Sequence, residues 1–235
     1  EYNGYKAYWE DGAQLAPEHA KVVANERCKF DCLDTEGIAD FDEAVKSGLI
    51  TVLDEKFDAK YLDEVVATAI NPTLVSDVAD TLKVVYTPLH GAGYKLVPEV
   101  FKRIGLKHLY TVDEQMTPDG NFPTVKKPNP EYADVFTDGI AIANEVGSDL
   151  VIATDPDSDR VGVMARADDG EFRTITGNQM GALLMEYIIT AYKESGTMPD
   201  EPYAVKSVVS SALAAEICKV NDVKMYDVLT GFKYI

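Results

Sequence analysis

Cysteine is scarce in this chain of 235 residues, with only Cys28, Cys32 and Cys218 present. An odd count, with three residues rather than two between the first pair, sets out neither a disulfide framework nor a common metal or redox motif. The chain therefore reads as a reduced, cytoplasmic protein. Long apolar runs are also missing. Glu186 interrupts even the stretch from Ala182 to Ile189, so nothing approaches the roughly 20 apolar residues of a membrane span. Positive charge is in short supply, 22 Lys and Arg against 40 Asp and Glu, for a net charge of −18. Such a balance repels nucleic-acid phosphates and anionic membrane surfaces alike, which argues against both as partners. A small phosphorylated ligand stays open, because a few clustered cations and backbone amides outweigh a screened global field. Internal repeats and low-complexity segments are absent. So are an initial Met and any signal-peptide pattern, and Ile235 follows a turn-like Thr-Gly-Phe-Lys. Both ends read as cuts within a longer protein, and nothing in the chain specifies an oligomeric state.

The 46% hydrophobic content supports a packed core, and the length suits one large domain or two ordinary ones. Apolar runs bounded by turn signals alternate with amphipathic stretches, the pattern of βαβ units. The predicted class is α/β, with mainly parallel mixed sheets flanked by helices. A strand over Leu82 to Thr87 leads through Pro88-Leu89-His90-Gly91-Ala92-Gly93 into a helix. There Leu96, Val97, Val100, Phe101 and Ile104 recur at helical spacing, and Gly105 ends it. Leu106 to Val112 reads as the next strand. The polar stretch from Asp113 to Pro130, with four prolines, reads as a long loop of the kind that carries function. A helix from about Glu131 to Val146 and a buried strand from Leu150 to Thr154 follow. Val161 to Ala165 then returns, turns at Asp168-Asp169-Gly170 and pairs with Phe172 to Ile175. A helix over Gly177 to Ala191, a strand over Ala204 to Val209, a helix over Ala212 to Val220 and a strand over Lys224 to Val228 complete the pass. The expected organisation is the tail of an earlier domain with its linker at 1–30, one domain at 31–170, and an incomplete domain at 171–235.

The chemistry concentrates after the strand that ends at Thr154. Asp155, Asp157 and Asp159 alternate in Asp155-Pro156-Asp157-Ser158-Asp159-Arg160, so extended backbone projects them to one side and modest curling aims all three at one point. Converging carboxylates repel and raise one another's pKa, and a hard divalent cation relieves both problems. Magnesium leads. A calcium-loop reading fails, because the Gly and Glu that an EF-hand needs at its sixth and twelfth positions are Arg160 and Arg166 here. The bland alternative is a solvated acidic turn. Arg160 offers a planar fork for a phosphate oxygen, or else a structural ion pair to Asp159. His90, in a Pro-Leu-His-Gly turn, is better read as satisfying backbone groups than as a catalyst. Asn129, Pro130 and Glu131 have a sufficient account as N-cap, first helical residue and first-turn acid.

Six motifs then stand in one order: Tyr2-Asn3-Gly4-Tyr5-Lys6, Thr87-Pro88-Leu89-His90-Gly91, Phe122-Pro123-Thr124-Val125 with Pro128-Asn129-Pro130-Glu131, Asp155 to Arg160, Gly177-Asn178-Gln179, and Thr230-Gly231-Phe232-Lys233. Together they resemble the α-D-phosphohexomutases, above all the bacterial α-phosphoglucomutases and their phosphopentomutase-like relatives. The resemblance covers nearly the whole chain. It implies four domains around one cleft, with a catalytic phosphoserine in the first, the metal loop in the second and sugar recognition in the third. Asp155, Asp157 and Asp159 would ligate Mg2+ and Arg160 would steady the transferring phosphoryl group. Lys6 would assist proton transfer or charge stabilisation near the reacting hydroxyl. Thr230, Gly231 and Lys233 would contact the sugar ring, and Lys206 would contact substrate. The partners implied are a sugar phosphate and a sugar bisphosphate intermediate. Neither a Thr-Ala-Ser-His-Asn-Pro signature nor the Glu-x-Ser sugar motif occurs in these residues. The expectation is a phosphoglucomutase as the whole protein and an inactive piece by itself. The alternatives are a phosphomannomutase or phosphopentomutase, or a noncatalytic module that binds metal or phosphosugar.

Overall fold

A computed structural model describes residues 6–31, 33, 35 and 37–235. Cys32 and the Tyr2–Tyr5 part of the first motif lie outside them. The chain divides into two compact units, Leu53–Pro199 and a second made of Glu1–Val52 with Asp200–Ile235.

The larger unit is built on a five-stranded sheet in the order β2-β1-β3-β4-β5. Its strands are β1 (Lys83–Thr87), β2 (His108–Thr111), β3 (Leu150–Thr154), β4 (Val161–Arg166) and β5 (Phe172–Ile175). β1 runs parallel to both neighbours, whereas β3–β4 and β4–β5 are antiparallel hairpins. β1 and β3 read Lys-Val-Val-Tyr-Thr and Leu-Val-Ile-Ala-Thr, the continuous apolar character that suits strands covered on both faces. The helices of this unit are α3 (Glu55–Ala67), α4 (Leu74–Asp77), α5 (Gly93–Arg103), α6 (Thr137–Val146) and α7 (Gly177–Ser195). The smaller unit holds α1 (Pro17–Arg27), α2 (Phe41–Lys46) and a parallel pair, β6 (Tyr203–Ser207) with β7 (Lys224–Val228), joined through α8 (Ala212–Val220).

One face of the large sheet packs on α6. Val85, Val151, Ala153 and Met164 point there and join Leu89, Val112, Val135, Phe136 and Ala143 in one core. Gly139 lets α6 approach closely, since a Cβ there would stand 2.7 Å from Val151 Cγ1. The alternate residues face α5, where the rings of Tyr86 and Phe101 lie 6.2 Å apart. Burial pushes the Tyr86 phenol up to about 12, against the lowering influence of its bond to Thr154. α5 in turn packs beside α3 through Lys95 with Asp58 at 2.6 Å and Arg103 with Asp63. These exposed and half-exposed pairs orient the helices and add little to stability, because solvent screens them.

The fold class agrees with the sequence reading, and several bounds shift. The helix expected from Glu131 starts at Thr137, after a 3-10 turn over Ala133–Phe136. Asn129 caps no helix. Its Oδ1 accepts the Glu131 N–H at 3.0 Å and its carbonyl accepts the Tyr132 N–H at 3.1 Å, which closes a turn and satisfies the donors a helix start would have offered. Sinking Val135 and Phe136 into the core then delays the helix. The last strand of the sheet, β5, ends at Ile175. Helices α2, α3 and α4 lie where the sequence reading assigned nothing. Cys28 is exposed and Cys218 buried, both as free thiols. No helix among the described residues is long and apolar enough to cross a membrane.

Candidate metal site at the ends of the central strands

Strand order places the site. From β1 the chain moves to β2 on one side and then returns to β3 on the other. The loops leaving the carboxyl ends of β1 and β3 therefore diverge from a topological switch point, where open α/β sheets bind ligands. Those loops are Pro88–Gly93 and Asp155–Arg160, brought level because Thr87 is in register with Ala153. The Tyr86 and Thr154 hydroxyls, 2.8 Å apart, tie the two strand ends together.

The acidic loop is the hairpin connection from β3 to β4, with Thr154 opposite Val161. Asp155 N–H donates to the Arg160 carbonyl at 3.3 Å and Ser158 N–H to the Asp155 carbonyl at 3.0 Å. Ser158 takes a left-handed conformation at φ 57° to make the turn. Asp155 is fully buried, while Asp157 and Asp159 are exposed, and one carboxylate oxygen from each lies within 4.8 Å of the others. An octahedral magnesium at about 2.0–2.1 Å from its ligands sets opposite oxygens about 4.2 Å apart, so a small contraction closes this set on one ion. Hard, anionic oxygen donors of this kind suit Mg2+.

Arg160 turns back on Asp155 rather than chiefly on Asp159. Its Nε donates to Asp155 Oδ2 at 2.7 Å, its Nη2 pairs with the same oxygen at 2.7 Å, and its backbone N–H donates to Oδ1 at 3.0 Å, whereas Asp159 lies 3.6 Å from Nε. Hairpin closure accounts for this, because residues 155 and 160 are its facing ends. Burial pushes the Asp155 carboxyl above the usual range, and the hydrogen bond shared with Asp157 adds to the rise. The backbone N–H, guanidinium and charge of Arg160 pull the other way. The Arg160 side chain remains 48% exposed, so the pair leaves guanidinium surface open to a further anion.

The second loop went unnoticed in the sequence as part of this site. Ala92 N–H donates to the Pro156 carbonyl at 2.8 Å. A Cβ on Gly91 would lie 2.3 Å from Pro156 Cα, and one on Gly93 would meet Tyr86 Oη at 2.4 Å and Ser158 Oγ at 2.9 Å. The two glycines are what allow the start of α5 to rest against the acidic loop. Their presence between a buried strand and a helix was the available signal.

Leu89 and His90 before them both have positive φ, 48° and 63°, a conformation that costs a residue with a side chain roughly 1–2 kcal/mol. A buried polar network holds them there. Leu89 N–H donates to Thr87 Oγ1 at 3.0 Å, and the Thr87 hydroxyl donates to Gln115 Oε1. Gln115 Nε2 donates to Thr124 Oγ1 at 2.8 Å and to Asp138 Oδ2 at 3.2 Å. His90 Nδ1 faces the Thr117 carbonyl at 3.1 Å and so must carry the proton, which leaves Nε2 to accept the Thr124 hydroxyl at 2.9 Å. Of the backbone groups that His90 was expected to satisfy, its ring meets the Thr117 carbonyl, and its other ring nitrogen goes to a side chain instead.

The other sequence-derived residues lie in the smaller unit. Lys6 is exposed. Lys206, at the end of β6, pairs with Asp227 at 2.6 Å and lies 3.4 Å from the Ser210 carbonyl. Thr230 is exposed, and Gly231, at φ 129° and ψ 134°, takes a backbone shape that a Cβ opposes. The Lys233 ammonium sits 5.3 Å from the centre of the Tyr234 ring.

The chain thus combines a mixed α/β sheet with an acidic hairpin at its switch point whose three carboxylates could hold a cation. Residues 59–170 match the family described as phosphoglucomutase/phosphomannomutase, alpha/beta/alpha domain II, and residues 176–235 match its domain III. The chain belongs to the phosphoglucomutase/phosphomannomutase family. It is 36% identical over 235 residues to a phosphoglucomutase of Staphylococcus saprophyticus, matching 100% of this chain and 41% of that protein. It is 32% identical to a phosphopentomutase of Pongo abelii, over 99% of this chain and 38% of that one. A putative phosphomannomutase from Thermus thermophilus shares the fold, with a TM-score of 0.56 at 19% identity over 77% of this chain and 37% of that structure. The chain thus spans well under half the length of these relatives.

Proposed function

We propose that this chain carries the metal loop and part of the sugar-recognition machinery of a phosphoglucomutase. That enzyme interconverts glucose 1-phosphate and glucose 6-phosphate through a phosphoserine and a sugar bisphosphate intermediate. The observation that carries the reading is the gathering of the Asp155, Asp157 and Asp159 carboxylates within 4.8 Å at the strand ends. In this reading residues 31–170 are the second domain of the mutase, 171–235 belong to the third, and 1–30 are the tail of the first. The whole protein would be cytoplasmic.

The three aspartates would hold Mg2+. When bound, the ion supplies charge neutralisation and positioning for in-line phosphoryl transfer. Arg160, anchored by Asp155, presents its open guanidinium surface to the transferring phosphoryl group. Fixed donors of this kind act on charge that develops in the transition state and need no reorganisation. Lys6 assists the reacting hydroxyl by proton transfer or by its charge. Thr230, Gly231 and Lys233 hold the sugar ring, and Lys206, steadied by Asp227, contacts substrate. A pentose phosphate is the second substrate reading, favoured by the 32% identity to a phosphopentomutase across almost the whole chain.

Calorimetric titration with Mg2+ or Mn2+ is expected to give one site that Asp157→Asn removes. Asp157 is exposed, so its loss leaves the fold intact, and undiminished binding in the variant would sink the metal assignment. The sequence contains no Thr-Ala-Ser-His-Asn-Pro segment, and covalent phosphoryl shuttling needs such a nucleophile beside the metal. The purified chain is therefore expected to show no turnover of glucose 1-phosphate with Mg2+ and a bisphosphate primer. A chain extended through the serine segment and the remaining domains should turn over, and robust activity of the unextended chain would refute the assignment.

A further inference from the structure

We propose that His90 is a positioning residue for the acidic loop, bracing the Pro88–Gly93 turn so that this turn holds the backbone of Pro156 between Asp155 and Asp157. The inference rests on the reading of the acidic loop as a cation site. Its first link is the unfavourable backbone of Leu89 and His90, both at positive φ. Such a conformation persists only where its surroundings over-determine it. Here they do so from three directions. His90 N–H donates to the Gln115 carbonyl at 3.0 Å, the Asp119 N–H donates to the His90 carbonyl at 3.1 Å, and the ring bridges Thr117 and Thr124. The long loop after β2 is therefore fastened over the turn by two backbone bonds and by the imidazole of a residue that is only 4% exposed.

The second link runs from the turn to the carboxylates. Ala92 N–H reaches the Pro156 carbonyl at 2.8 Å, and Gly91 lies flat against the Pro156 backbone. Pro156 separates two of the three ligand carboxylates, so the place of its carbonyl sets the spread between them. A cation site gains affinity when its ligands need no rearrangement, and outer supporting groups of this type tune metal affinity about 10–100-fold. Histidine suits the role because a rigid ring makes two opposed hydrogen bonds, one donated and one accepted, at a fixed span.

Two variants of the full chain test this. His90→Asn keeps a side chain that tolerates the left-handed backbone but cannot span both loops. Thr124→Val removes the hydroxyl with little change of shape. Ser148→Ala serves as the comparator, since that buried hydroxyl bonds the Lys83 and Leu150 carbonyls at the far end of β3. Amide hydrogen exchange is read on metal-free protein at Ala92, Asp155, Ser158 and Arg160, and Mn2+ affinity is read by calorimetry. Both brace variants are expected to speed exchange at those amides and to weaken Mn2+ binding by about tenfold or more. The loss in the double variant should fall short of the sum of the two single losses, because the two changes share the bond between His90 Nε2 and the Thr124 hydroxyl while each also removes one of its own, to the Thr117 carbonyl or from Gln115 Nε2. Ser148→Ala should lower the thermal midpoint and leave loop exchange and Mn2+ affinity unchanged. Loop exchange that matches the unaltered chain in folded His90→Asn and Thr124→Val would overturn the brace. If Asp157→Asn bound Mn2+ as well as the unaltered chain, the cation reading would fail, and the exchange data would still decide the brace.

Discussion

Gly91→Ala is expected to weaken divalent-cation binding at the acidic loop by up to about 100-fold, and to destabilise the larger unit by about 1–3 kcal/mol. The new methyl carbon would stand 2.3 Å from Pro156 Cα, 2.7 Å from its oxygen and 2.8 Å from its carbonyl carbon. All three are backbone atoms, so no side-chain rotation relieves the clash, and one of the two loops must move. The β1 side is fixed by Leu89 in the core and by the His90 network, which leaves the acidic loop to yield. Its displacement breaks the bond from Ala92 N–H to the Pro156 carbonyl and spreads Asp155 and Asp157. Residue 91 does not have a positive φ, so the expected loss is one of contact rather than of backbone propensity. Gly120→Ala, where a Cβ meets nothing within 4 Å, is the matched control and should change neither quantity. Mn2+ titration with a thermal midpoint for each variant checks the pair. Cation affinity in Gly91→Ala equal to that of Gly120→Ala would show that the two loops are not in this contact.

The second large effect is on turnover. In a chain extended to include the serine segment, Arg160→Ala is expected to lower kcat about 10²–10³-fold, the usual consequence of removing one preorganised donor from a developing oxyanion. A stability effect accompanies it. Asp155 would stay buried but lose the Nε bond and the Nη2 ion pair, both at 2.7 Å, while keeping the backbone N–H at 3.0 Å. Leaving a buried acceptor partly unsatisfied costs about 1–3 kcal/mol, so the folded fraction must be measured beside the rate. Arg160→Lys separates the two roles. It keeps the charge that offsets Asp155 and loses the planar fork, so stability should recover more than kcat does. Unimpaired turnover in a folded Arg160→Ala protein would reduce Arg160 to the structural partner of Asp155.

The relation between the two loops also bears on how an acidic chain tolerates this site. Burial already pushes the Asp155 carboxyl up, and Arg160 is the cation that offsets it. Asp157 and Asp159 lie at the surface. The loop therefore folds around one internal cation with its other two carboxylates exposed.

Local features were legible in the residues alone. The β3 strand, the alternating aspartates, the return through β4 and the turn at Asp168-Asp169-Gly170 are specified within about 20 positions by periodicity and turn chemistry, which depend on near neighbours in the chain. The same holds for α8 and β7, whose bounds coincide with the apolar runs. The α6 helix was misplaced at its start because the Pro130 and Glu131 signal is local, whereas the demand to bury Val135 and Phe136 comes from a core assembled across the sheet. The Arg160–Asp159 ion pair, one of two roles the sequence offered, is present at 3.6 Å, and the shorter pairing at 2.7 Å with Asp155 was not foreseen because it arises from a hairpin bringing its ends together. By itself the sequence determined the α/β class and the family motifs, and it located the acidic loop at a strand end. Only the tertiary structure decided that Gly91 and Ala92 press on Pro156, more than 60 residues away, and that His90 joins Thr117 and Thr124. Those contacts follow from strand order and parallel register, which no local pattern of residue types encodes.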